Sequence, residues 1–143
     1  MAKENTQEAV VVRVDARQCE IRVQGEITPA AMRGRIFENR YQDKIPVAVG
    51  DLCLVTEEAD GYAIAEILPR RNLFSRRAAG DDSRRQILAT NVDQIVIVAC
   101  FGVPPFSSIT TDRILSAASS SKIPAVLILN KLDRAKRKKM EAI

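Results

Sequence analysis

The sequence predicts two folds in succession, an all-β barrel over residues 1–68 and the start of an α/β domain over residues 91–143. In the first part, short runs alternate polar and apolar residues between turn signals, without a helical period. In the second part, two unbroken apolar runs flank a segment with helical spacing, which is typical of a strand, helix, strand crossover. Residues 69–90 between them are basic and poor in periodicity, and they predict a linker.

The barrel prediction depends on short strands that alternate in polarity. The alternating runs are residues 10–14, 19–23, 32–37, 52–56 and 62–68, with a loop signal at Gly25 and Pro29. Closure of such strands into a barrel removes the exposed edges that they would otherwise present. An SH3-like barrel fits the same strand pattern.

The second part predicts one parallel crossover unit. The run I-V-I-V-A-C at residues 95–100 predicts a strand that is covered on both faces. After Pro104 and Pro105, residues 107–121 predict a helix that begins at a cap on Thr110 or Thr111. Its apolar stripe consists of Ile109, Ile114, Leu115 and Ala118. A second apolar run, A-V-L-I-L, follows Pro124 and ends at Asn130.

Composition excludes several classes of protein and site. Hydrophobic residues make up 46% of the chain, enough for a packed core. No apolar run approaches the roughly 20 residues that span a bilayer, and residues 1–8 lack a signal segment, so we expect a cytoplasmic, membrane-free monomer. Cys19, Cys53 and Cys100 are far apart and odd in number, and histidine is absent, so we expect buried cysteines without a disulfide or zinc site.

Charge is distributed unevenly along the chain. Residues 1–68 carry eight basic and twelve acidic residues, a net charge of −4, whereas residues 69–143 carry fourteen basic and six acidic residues, a net charge of +8. Clustered arginines suit a polyanion, because each neutralised phosphate releases counterions. We predict RNA contacts from the arginines between the two folds, which are Arg70, Arg71, Arg76, Arg77, Arg84 and Arg85. A solvated linker is the alternative explanation.

Two further arginines belong to the barrel. Arg33 and Arg35 fall on one face of a predicted strand, and such barrels commonly bind nucleic acid through strand faces and adjoining loops. The barrel half has few aromatic residues for stacking. We therefore expect recognition of the backbone and shape of folded RNA.

The tetrapeptide N-K-L-D, residues 130–133, directly follows the second apolar run. Ligands of open α/β sheets lie at the carboxyl ends of the strands, so Asn130, Lys131 and Asp133 occupy a binding position. An ionised Asp133 can accept hydrogen bonds from N1 and N2 of guanine, a donor pattern that adenine lacks. The Lys131 stem can lie along the base, and the Asn130 amide can hold neighbouring loops. The alternative is a plain helix-capping aspartate.

GTP hydrolysis also requires a glycine-rich phosphate loop that ends in G-K-S or G-K-T. No such segment occurs between Met1 and Ile143, although ordinary GTPases carry it before N-K-x-D. Either the motif is accidental or the domain is circularly permuted. We predict no catalytic residue in this chain and no GTP hydrolysis by the chain alone.

The chain resembles the RsgA family of small-ribosomal-subunit-dependent GTPases in the order of its segments: barrel, P-R-R-N-L-F-S-R, A-T-N-V-D-Q-I-V-I-V, proline loop, T-D-R-I-L and V-L-I-L-N-K-L-D. The resemblance implies an oligonucleotide-binding (OB) barrel, a circularly permuted GTPase domain and a role late in maturation of the small ribosomal subunit. It implies GTP or GDP with Mg²⁺ as ligands, guanine binding by Asn130, Lys131 and Asp133, and the small subunit with its rRNA as partners.

The chain departs from the family by stopping after the guanine motif. The phosphate loop, both switches and the C-terminal zinc-binding module are absent, which predicts the front part of a longer GTPase. Two other classes fit the residues: a free-standing RNA-binding OB module without nucleotide chemistry, and an adaptor that completes its sheet with a partner chain. A G-K-S segment soon after residue 143 would distinguish the first class from the others.

Overall fold

The computed structural model describes residues 6–15, 18–32, 46–77 and 85–134. The chain divides into two compact units, residues 1–92 and residues 93–143. The first unit contains a closed β-barrel and a β-hairpin, and the second contains a strand, helix, strand unit. Within the described ranges, no helix is long and apolar enough to span a bilayer.

Five strands close the barrel in the spatial order β1-β2-β3-β5-β4, with β4 pairing back onto β1. All neighbours are antiparallel except β3 and β5, which pair in parallel from Ala30 to Met32. This is the OB arrangement, so the predicted OB barrel is confirmed. The strands are β1 (Thr6–Val14), β2 (Gln18–Val23), β3 (Glu26–Met32), β4 (Leu52–Glu58) and β5 (Gly61–Ile67).

The third strand differs from the sequence prediction. It begins at Glu26, where the sequence indicated a loop, and it includes Pro29. Proline is tolerated at this position because pairing with β5 starts only at Ala30, so β3 is an edge strand at Pro29. The predicted strand at residues 32–37 overlaps β3 only at Met32, and its remaining residues lie outside the described ranges.

The barrel core consists of the inward side chains of alternating strand positions. Val11, Ile21, Val55 and Ile64 are at most 1% exposed, so they form the tightest part of the core. Cys19 and Cys53 lie among them as buried thiols, as the sequence predicted. Cys100, in the second unit, is only half-buried.

Where the sequence predicts a linker, the structure contains a β-hairpin. Strands β6 (Leu73–Arg77) and β7 (Arg85–Thr90) are antiparallel, from Leu73 opposite Thr90 to Arg77 opposite Arg85. The register shifts between Phe74 and Ser75. The sequences of the two strands, L-F-S-R-R and R-Q-I-L-A-T, do not alternate polar and apolar residues, which explains why sequence periodicity did not reveal the hairpin.

The second unit contains β8 (Ile95–Cys100), α1 (Ser108–Ser120) and β9 (Ala125–Asn130). The two strands are parallel and in register from Ile95 opposite Ala125 to Cys100 opposite Asn130, so the predicted crossover is confirmed. The helix cap is Ser107, not Thr110 or Thr111: the Ser107 hydroxyl accepts a hydrogen bond from the Thr110 amide at 3.3 Å. Thr111 lies within the helix and donates to the Ser107 carbonyl.

Only one face of this sheet is covered among the described residues. Ile97 is buried, whereas Val96 and Val98 on the opposite face of β8 are 51% and 63% exposed. The apolar run therefore differs from the expected strand with two covered faces. On the helix, Ala118 is buried, but Ile109 of the predicted stripe is 65% exposed.

The barrel thiols provide a test of the fold. Burial raises the pKa of the Cys19 thiol to about 11, and burial with the nearby Cys19 and Asp51 charges raises the pKa of Cys53 to about 12. Near neutral pH, a thiol reagent should label Cys100 quickly and Cys19 and Cys53 only after unfolding. Native labelling of all three at one rate, or any rapid native labelling of a Cys100→Ser variant, would contradict the fold.

The same thiols predict an alkaline loss of stability. Unfolded thiols release protons near the ordinary pKa of 9.0, whereas the folded barrel retains them to about 11 and about 12. These groups should therefore not change the free energy of unfolding below pH 9.0. Between pH 9.0 and about 12, the free energy of unfolding should fall as the pH rises. Denaturation curves at several alkaline pH values measure this slope, which Cys53→Ala should reduce.

Candidate functional site

The carboxyl ends of β8 and β9 form one edge of the parallel sheet, because Cys100 lies opposite Asn130. The chain leaves β9 at Asn130 and enters a short 3₁₀ helix at Leu132–Arg134. The Phe101 amide donates to the Asn130 carbonyl at 3.1 Å and extends the pairing by one bond. The structure thus brings Asn130, Lys131 and Asp133 together in a turn at the sheet edge where α/β proteins bind ligands.

Internal hydrogen bonds hold the turn. Lys131 adopts a left-handed backbone with φ of 56°, and its amide donates to the Asn130 side-chain oxygen at 2.8 Å. The Lys131 ammonium donates to the Val103 carbonyl at 3.2 Å, so the lysine stem is tied to the loop after β8. The asparagine therefore stabilises the turn, while the lysine links the two loops.

Asp133 remains open to solvent, since its side chain is 79% exposed. The Arg134 guanidinium lies beside it, with Nε 3.8 Å from Oδ2, and the Arg134 side chain is 65% exposed. An ion pair of this length and exposure is weak. The Asp133 carboxylate is thus accessible to a ligand that presents hydrogen-bond donors.

The loop after β8 supports the turn, and sequence reasoning did not identify its contribution. Gly102 has φ of +114°, and a Cβ there would lie 3.5 Å from Cδ of Arg134. Phe101 is buried and stacks on Phe106 with ring centroids 6.1 Å apart. The signals for this loop in the sequence were Gly102 and the adjacent prolines, but only tertiary contacts relate them to residues 130–134.

The hairpin β6–β7 carries a second candidate surface. Arg76, Arg77 and Arg85 are exposed on it. Arg71, two residues before β6, is also exposed, and its Nη2 donates to the Asn91 carbonyl at 3.0 Å. Arg76 Nε donates to the Gln86 side chain across the hairpin at 3.1 Å, and Arg77 pairs in register with Arg85. The other predicted arginines, Arg33, Arg35 and Arg84, lie outside the described residues.

Arg70 is placed differently from the exposed arginines. Its side chain is 8% exposed and makes a bidentate pair with Asp51, with Nε 2.6 Å from Oδ1 and Nη2 2.7 Å from Oδ2. Nη2 also donates to the Pro46 carbonyl at 2.8 Å. These donors point into the protein, so Arg70 joins the hairpin unit to the barrel instead of facing solvent.

Asp51 is the centre of this network, and no local sequence pattern singled it out. Its side chain is fully buried and also accepts from the Thr90 hydroxyl at 2.9 Å and the Ala48 amide at 2.8 Å. Both carboxylate oxygens therefore accept two hydrogen bonds each. We call Asp51, Arg70 and Thr90 the Asp51 clamp. It connects residues on either side of the hairpin to the barrel.

Two asparagines reinforce the clamp. The Asn72 side chain bonds both the amide and the carbonyl of Val92 at 2.8 Å. The Asn91 side chain accepts from the Arg71 amide and donates to the Gly50 carbonyl, each at 2.8 Å. The segments P-R-R-N and A-T-N are therefore held side by side by their own side chains.

Comparison with known proteins identifies the family. Residues 67–143 match the family model described as RsgA GTPase. The chain belongs to the RsgA GTPase family. The match includes the hairpin β6–β7, the crossover unit and the N-K-L-D turn, whereas Asp51 lies in the barrel before it.

Curated relatives carry the same family name. The small ribosomal subunit biogenesis GTPase RsgA of Phocaeicola vulgatus is 33% identical over 111 residues, which cover 77% of this chain and 36% of that protein. The protein of the same name from Methanosarcina acetivorans is 35% identical over 119 residues, covering 82% of this chain and 31% of that protein. The chain thus spans about a third of the length of these relatives.

Solved structures show the same fold. YjeQ from Thermotoga maritima aligns with a TM-score of 0.69 and 21% identity over 96% of this chain and 45% of that structure. YloQ, a circularly permuted GTPase, aligns with a TM-score of 0.65 and 23% identity over 99% of this chain and 47% of that structure. The combination of barrel and α/β unit in this RsgA family member is therefore shared with both.

The Asp51 clamp predicts a large stability effect for one substitution. Asp51→Asn removes the negative charge that compensates Arg70. It also places a side-chain NH2 group against the groups that donate hydrogen bonds to Asp51, which are Arg70, Thr90 and the Ala48 amide. The variant should lose about 3 to 5 kcal/mol in the free energy of unfolding, the usual cost of breaking a buried ion pair. Chemical denaturation measures the loss. Asp60→Asn, in the exposed turn after β4, is the matched control and should leave the midpoint unchanged, and equal midpoints for both variants would refute the clamp.

Proposed function

We propose that this chain is the front part of a GTPase that acts late in maturation of the small ribosomal subunit, and that it reads the guanine base through Asn130, Lys131 and Asp133. The observation that carries the proposal is the N-K-L-D turn at the carboxyl edge of a parallel sheet, with an exposed Asp133 carboxylate. Family membership and the names of the relatives support it. A free-standing RNA-binding barrel would have no need for this turn.

The three residues have separate roles in this proposal. Asp133 accepts hydrogen bonds from N1 and N2 of guanine, and a base lacking these donors would leave the carboxylate desolvated and unpaired. Lys131, tied to the Val103 carbonyl, presents its stem to the plane of the base. Asn130 does not touch the base and instead fixes the turn through the Lys131 amide.

The phosphates and Mg²⁺ of the nucleotide require other residues. A glycine-rich loop with a lysine and a hydroxyl normally holds them, and this sequence contains no such loop. Among the described residues, no cluster of acidic, cysteine or histidine side chains could hold a metal ion. In our proposal the chain therefore supplies the base-reading half of the site and does not hydrolyse GTP by itself.

Asp133→Asn tests the guanine proposal. In a full-length RsgA protein that carries this chain, the variant should reduce the preference for GTP over ATP by roughly 10- to 100-fold, because one charged hydrogen bond contributes about 1.5 to 3 kcal/mol. Asparagine accepts a hydrogen bond but also presents an NH2 group to the same donors. Binding titrations with both nucleotides give the ratio. Asp112→Asn, on the exposed surface of α1, is the control, and an unchanged ratio for Asp133→Asn would show that the turn only starts a helix.

We further propose that the chain binds rRNA of the small subunit through the exposed hairpin arginines Arg76, Arg77 and Arg85 and through Arg71, which precedes the hairpin. The support is their exposure on or beside a hairpin that is anchored to the barrel, together with the affinity of guanidinium groups for phosphate oxygens. Arg33, Arg35 and Arg84 remain part of the proposal on sequence alone. Arg70 is excluded from it, because its donors bind Asp51 and Pro46.

Salt dependence tests the RNA proposal. Changing Arg76, Arg77 and Arg85 together to Ala should weaken binding to a small-subunit rRNA transcript and flatten the logarithmic salt dependence by about 0.7 to 0.9 for each lost phosphate contact. Arg22→Ala, on the barrel wall, removes one charge elsewhere and should change the slope little. If the slope is unchanged while Arg33→Ala and Arg35→Ala abolish binding, the RNA site is the barrel face.

A further inference from the structure

We infer that the hairpin β6–β7 and the barrel end beside it form one RNA-binding surface, and that Asp51, Thr90 and Gly50 are positioning residues that fix the hairpin arginines relative to the barrel. The inference rests on the proposed binding of RNA and adds to it the residues that set the geometry. None of the three is expected to touch RNA, because Asp51 and Thr90 are buried and Gly50 has no side chain.

The first support is the chemistry of the Asp51 clamp. Burial of an ion pair costs desolvation energy that the pair roughly recovers, so such a pair is a poor source of net stability. Its best-attested role is to select one arrangement of the elements that it joins. Here four hydrogen bonds converge on Asp51 from a residue before the hairpin, from the last strand of the hairpin and from the barrel loop, so other placements of the hairpin would leave a buried carboxylate incompletely bonded.

The second support is the close approach of Gly50 to the end of β7. Gly50 has φ of +90°, and a Cβ there would overlap the carbonyl oxygen of Thr90. The Thr90 amide donates to the Val49 carbonyl at 2.9 Å, and the Gly50 amide donates to the Val11 carbonyl at 2.8 Å. A continuous line of backbone hydrogen bonds thus connects β7 to β1 of the barrel through residues 49–50.

The third support is the charge of the opposite barrel end. Strand β4 begins directly after Asp51 and ends at Glu58, about 20 Å away for a strand of this length. That far end carries Glu26, Glu57, Glu58 and Asp60 at the turns between strands. Phosphates are repelled there, and the length of β4, which separates this end from Asp51, exceeds the Debye length of about 8 Å. RNA would therefore approach from the clamp end.

Positioning matters for affinity because side chains that are already ordered lose less entropy on binding. If the hairpin were only loosely attached to the barrel, its arginines would lose this entropy for each phosphate contact that they make. When the hairpin is fixed to the barrel, its arginines and the barrel end reach neighbouring phosphates together. We therefore expect affinity to fall when the hairpin is released, even with every arginine retained.

The experiment uses three variants of this chain that leave its charge unchanged. Gly50→Ala should force the hairpin from the barrel, Thr90→Val should remove the hydroxyl that bonds Asp51, and Thr90→Ser should retain it. Binding of a small-subunit rRNA transcript is measured over a range of salt. Protection of Cys19 and Cys53 from a thiol reagent reports whether the barrel is folded, and hydrogen exchange of the Thr90 amide, which bonds the Val49 carbonyl, reports whether the hairpin is docked.

Gly50→Ala should weaken RNA binding about tenfold, with both barrel thiols still protected. The slope of the logarithm of affinity against the logarithm of salt concentration should become shallower by at least about 0.7 to 0.9, the change for one lost phosphate contact. Thr90→Val should shift affinity and slope in the same direction by less, and Thr90→Ser should bind like the original chain. If Gly50→Ala exposes the thiols, the barrel has unfolded, and the Val and Ser variants of Thr90 decide the question.

Two results would overturn the inference. One is rapid exchange of the Thr90 amide with RNA affinity and salt slope unchanged, which would mean that a released hairpin binds equally well. The other is a Thr90→Val variant that matches Thr90→Ser in every measurement. A failure of the unaltered chain to bind the transcript would instead refute the proposed RNA function, and that outcome is visible before any variant is compared.

Discussion

The Asp51 carboxylate is fully buried and accepts four hydrogen bonds, two from Arg70 and one each from Thr90 and the Ala48 amide. A buried charge without such partners would be prohibitively costly, so the residues that supply them must converge on one point. They come from the barrel loop, from the segment before the hairpin and from its last strand. The first unit of the chain is therefore a barrel together with a hairpin, and it includes most of the residues that its sequence assigns to a linker.

A different constraint shapes the second unit. Parallel strands need a crossover, and their carboxyl ends then meet at one edge, where loops from both strands can bond each other. The Lys131 ammonium on the Val103 carbonyl and the Phe101 amide on the Asn130 carbonyl are such bonds. They order the backbone of the turn while leaving the Asp133 carboxylate exposed, which is the combination that a base-reading site requires.

Local patterns predicted elements well where the period was regular and poorly where it was interrupted. Strands β1 and β2 and both parallel strands followed from alternating or apolar runs. The strand through Pro29 did not, since the proline indicated a loop, and the hairpin β6–β7 did not, since its two strands lack alternation. The helix was expected, but its cap was assigned to threonines inside it, because several hydroxyl residues lie together and only geometry distinguishes Ser107.

The sequence by itself determined the succession of barrel and crossover, the position of N-K-L-D after an apolar run and the gathering of arginines between the two folds. These properties depend on residues close together in the chain, where hydrophobic period and charge density are visible. Only the tertiary structure decided which arginines face solvent. Arg70 and Arg71 are adjacent and chemically identical, yet Arg70 is paired in the interior because a carboxylate 19 positions earlier is buried beside it. Contacts over such separations arise from chain folding, and no local pattern records them.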